Sequence, residues 1–65
     1  MKVQTIEYFK KEFKMLKDYY DEFGSSNAII NMKEDRIIGA YELAEKLGLI
    51  DYTSFTELRK EIMNN

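Results

Sequence analysis

Histidine and cysteine, the side chains that most often carry catalysis or hold metals, are both missing from this 65-residue sequence. Ser-His-Asp and Cys-His arrangements are therefore excluded, as are the usual zinc sites and any disulfide. The remaining acid-base candidates are carboxylates. Glu42 with Glu45, and Asp21 with Glu22, are near enough in sequence to share a site. A carboxylate pair of that kind can do general acid-base work only in a water-poor pocket that separates the two pKa values. On an exposed helix face it is solubilising charge. Glu34 and Asp35 lack the ligand spacing of a calcium loop. The three glycines, Gly24, Gly39 and Gly48, stand alone, so no phosphate-cradling loop is present. The expectation is a protein that is not an enzyme and has no cofactor and no metal.

Charge and hydropathy narrow the partners. Ten basic residues against twelve acidic ones give a net charge of -2, which disfavours a dedicated nucleic-acid binder whose affinity comes from neutralising phosphates. No apolar run approaches the roughly 20 residues needed to cross a bilayer. The opening residues Met1 to Glu7 lack the apolar stretch of a signal peptide. A cytoplasmic protein with no membrane partner is expected. A chain of this length makes one helical domain, residues 1–65, near the lower size limit for independent folding. With no proline and a bias to Lys, Glu, Ile, Asn and Tyr, it is similar to short phage and mobile-element proteins.

The pattern predicts an all-α protein, a small three-helix bundle with helices at about 3–23, 31–47 and 52–63. In the first, Ile6, Phe9, Phe13, Leu16, Tyr20 and Phe23 recur at spacings of three and four, and Gly24 follows as a helix stop. Ser25-Ser26-Asn27 reads as a linker, and Ala28-Ile29-Ile30 as an apolar lead-in. Asn31 and Glu34 then fit a capping box that opens the second helix. Its broad apolar set is Met32, Ile37, Ala40, Tyr41, Leu43, Ala44 and Leu47, interrupted by Gly39, which would permit close approach of another helix. Gly48 reads as the C′ residue and Leu49 as the residue folding back on the helix. Asp51 or Thr53 caps the third helix, which turns Tyr52, Phe55, Leu58 and Ile62 inward.

Residues 41 to 60 carry one further pattern. Ala44 and Gly48 stand four apart, Leu49 and Asp51 follow, and Phe55 and Leu58 supply the next apolar positions. This resembles the long-turn helix-turn-helix of AraC-type regulators, with matches at Ala44, Gly48, Leu49, Asp51 and Phe55. It departs at Ser54, where that family has an aromatic residue, and at Arg59, where it has a second core phenylalanine. Those regulators use two such units in a longer domain. The resemblance implies a hairpin whose third helix reads DNA. Its outer face would present Thr53, Thr56 and Lys60, but also Glu57 and Glu61, which repel phosphate.

Two flanks of the first helix are candidate binding surfaces. Lys10, Lys14 and Lys17 form one ridge, diluted by Glu7, Asp18 and Asp21. Tyr8, Met15 and Tyr19 form the other, an aromatic and methionine strip of the type that contacts proteins. Either the second or third helix covers this strip, or another chain does. The expected function is a small protein-interaction or regulatory module that binds and modulates an unidentified protein partner through Tyr8, Met15 and Tyr19, with a homodimer possible through the same strip. The alternative is a helix-turn-helix DNA-binding transcriptional regulator using Thr53, Thr56, Lys60, Lys10, Lys14 and Lys17.

Overall fold

A computed structural model describes residues 2–24 and 28–64. They form three helices, α1 (Val3–Phe23), α2 (Ala28–Lys46) and α3 (Tyr52–Met63). The predicted linker 25–27 lies outside the described residues. The fold is an all-α three-helix bundle in which α1 packs against both α2 and α3.

One cluster of ten buried side chains binds the helices together: Phe9, Phe13 and Leu16 from α1, Ile30, Ile37, Tyr41 and Ala44 from α2, Ile50 from the turn, and Phe55 and Leu58 from α3. Phe55 is its hub. Its ring lies 5.4 Å from that of Phe9, 5.4 Å from that of Phe13, and stacks on Tyr41 at 4.2 Å. Aromatic pairs in these geometries contribute beyond the area they bury.

The boundaries of α1 and α3 agree with the pattern, whereas α2 begins three residues earlier than expected. Ile30 is fully buried, at 0% exposure, because it lies seven residues before Ile37 on the same helical face. Burying that side chain extends the helix back to Ala28. The expected capping box is therefore absent. Asn31 is an exposed residue inside the helix, and the Glu34 carboxylate instead accepts a hydrogen bond from the Tyr20 hydroxyl on α1. Gly39 also serves no contact within the chain, since a Cβ added there would meet nothing within 4 Å.

Several residues expected inside are outside. Phe23, Met32, Leu43, Leu47 and Tyr52 are all exposed. Ile6 and Tyr20 are half-buried against the core.

The turn between α2 and α3 is built as its residues suggest. The Gly48 N–H donates to Glu45 O at 3.0 Å and the Leu49 N–H to Ala44 O at 2.9 Å, the paired bonds of a Schellman motif. Gly48 sits at φ 72°, where a Cβ would clash with the backbone. Asp51 is the N-cap of α3, its Oδ1 accepting from the Ser54 N–H at 2.7 Å. Ile50 and Phe55, at N′ and N4 of that helix, are both buried in the core, the arrangement of a hydrophobic staple.

Candidate protein-interaction surface

The Tyr8-Met15-Tyr19 strip is not covered by α3. Tyr8 and Met15 are exposed, at 45% and 38%. Tyr8 sets its edge against Phe9, with centroids 5.1 Å apart, so the buried neighbour holds the exposed ring in place. Tyr19 is half-buried. It stacks on Phe23 at 5.9 Å and lies under the Lys33 ammonium of α2, 5.3 Å from the ring centroid. That geometry is a cation-π contact.

These contacts also fix the direction of α2. Tyr19 and Tyr20, near the end of α1, meet Lys33 and Glu34, near the start of α2. Tyr8 and Phe9, near the start of α1, line a hollow with Ala40, Ala44 and Leu49 at the other end. The two helices therefore run antiparallel.

In an antiparallel pair, flanks displaced in the same rotational sense from the packed faces emerge on the same side. At about 100° per residue, Tyr8, Met15 and Tyr19 lie roughly a quarter turn from the core face of α1. Ile29, Ala40 and Leu47 lie roughly a quarter turn from the core face of α2 in the same sense, and Leu43 and Met32 lie further round, toward its back. The two strips form one outer face of the α1–α2 pair, with the hollow at Tyr8 and Ala40 between them. Its α2 half is well exposed, with Met32 at 67%, Leu43 at 61% and Leu47 at 64%.

Sequence reasoning singled out the strip on α1, of which Tyr8 and Met15 are exposed, and did not single out the exposed apolar residues of α2. A signal was present. The apolar residues of α2 span too wide an arc for one core face, so some had to lie outside it.

The residues of the DNA-binding alternative are only partly brought together. Lys17, Thr56 and Lys60 line one cleft with Tyr20, Asp21 and Arg59. Lys10 lies 3.9 Å from Glu7, Lys14 is exposed, and Thr53 is exposed on the first turn of α3. The Thr56 hydroxyl is turned onto its own helix, within 3.0 Å of the carbonyls of Tyr52 and Thr53. It can donate to only one acceptor at a time, and both lie within the protein.

Tyr41 and Asp51, both beside the α2–α3 turn, depart from ordinary ionisation behaviour. Tyr41 donates its hydroxyl proton to the Glu45 carboxylate, and this bond, with burial and the nearby negative charges, pushes its pKa up to about 12. Asp51 is lowered, because the Ser54 backbone N–H, and then its side chain, hydrogen-bond to the carboxylate. Both serve structure. Of the carboxylate pairs, Glu42, Glu45, Asp21 and Glu22 are all exposed. Among the described residues no three His, Cys, Asp or Glu side chains gather as metal ligands do, and no helix is long and apolar enough to cross a membrane.

Comparison with protein-family models, curated proteins and solved structures gives no match.

Proposed function

We propose that this chain is a small, non-enzymatic protein-interaction module that binds and modulates another protein through the outer face of α1 and α2. The observation that carries this reading is the exposure of two apolar strips that emerge on the same side, Tyr8 and Met15 on α1 and Leu43 and Leu47 on α2. Tyrosine and methionine suit such a surface, the first through its large ring and polar tip, the second through its adaptable thioether. The absence of cysteine accords with action in the reducing cytoplasm. Size and composition accord with an accessory protein of a phage or mobile element.

The reading is tested by inserting charge on the face. Tyr8→Glu and Met15→Glu should leave helix content intact and abolish association with the partner. Unfolding of the monomer by both variants would make the strip part of the core and end the proposal.

A DNA-binding regulator is the second reading. In its favour, Lys17, Arg59 and Lys60 share one cleft between α1 and α3. Against it, Asp21 lines the same cleft and Glu57 and Glu61 are exposed on α3. It predicts retardation of duplex DNA at low salt that weakens with added salt and is lost in Lys60→Glu. Folded protein that retards no duplex would dismiss it.

A further inference from the structure

We draw no further inference here: the strongest candidate, the cleft between α1 and α3 where Lys17, Arg59 and Lys60 gather, belongs to the site already described for the DNA-binding reading, and with Asp21 on its own wall nothing in the structure names another ligand for it.

Discussion

Phe55 and Tyr41 stack with ring centroids 4.2 Å apart and planes 26° from parallel, joining α3 to α2. Those two helices share few other contacts, and each packs mainly on α1. Because Phe55 also touches Phe9 and Phe13, one side chain ties all three helices into a single core.

Truncating that hub should be severe. Phe55→Ala is expected to cost about 3–5 kcal/mol, a large share of what a domain this small possesses. Urea unfolding followed by circular dichroism would show the variant largely unfolded in the absence of denaturant. Phe55→Leu, which keeps most of the volume, should remain folded with a lower midpoint.

The Tyr41 hydroxyl should ionise well above the ordinary tyrosine range. Its folded pKa of about 12 lies above the ordinary value of 10.0, so the folded state holds the proton more tightly. The stability linked to it is whole below pH 10 and is lost as pH rises toward 12. Ultraviolet titration of tyrosinate should show a late-ionising group that is lost in Tyr41→Phe. Glu45→Gln, which removes the negative charge at the hydroxyl, should bring that group down toward the ordinary value of 10.0.

Asp51 gives the opposite pH dependence. Its carboxylate is stabilised by the hydrogen bonds from Ser54, so its contribution is present above the ordinary aspartate pKa of about 3.9 and fades as pH falls through the lowered folded value. Thermal melts should show Asp51→Ala less stable than the parent at neutral pH. The difference should shrink in acid, and Asp51→Asn, which can still accept a hydrogen bond, should fall between them.

The glycines should divide by backbone geometry. Gly39 is helical with open space where a Cβ would go, so Gly39→Ala should stabilise the monomer by roughly 0.5–1 kcal/mol. Gly48 lies at φ 72°, and Gly48→Ala should destabilise it by about 1–2 kcal/mol. Denaturant titrations at low protein concentration would measure both.

What could be read from the residues follows the strength of their constraints. α1 was legible because Phe9, Phe13 and Leu16 leave one narrow aromatic stripe and no competitor of equal weight. The turn was legible because Gly48, Leu49 and Asp51 each fill a position with a specific geometric demand. α2 was less so. Its apolar residues cover more than half of the circumference, and period alone does not say which of two adjoining stripes faces inward. That choice is made by where α1 and α3 lie, which buries Ile30, Ile37, Tyr41 and Ala44 and leaves Met32, Leu43 and Leu47 outside. Asn31 and Glu34 imitated a helix start, but the drive to bury Ile30 carried the helix through them. Ile50 was also missed, although its place just before the Asp51 cap and five residues before Phe55 is the staple pattern. Of the candidate site, Tyr8 and Met15 were legible as exposed, and the strip that adjoins them on α2 was not.

The central claim is that the outer face of α1 and α2 binds protein, and one measurement addresses it most directly. The full chain is immobilised and exposed to an extract of the cells that produce it, beside Tyr8→Glu and Leu43→Glu variants matched in helical circular dichroism. The account predicts that the parent retains one protein in stoichiometric amount, a further copy of itself or a different chain, and that both variants lose it. Retention undiminished in both folded variants would contradict it.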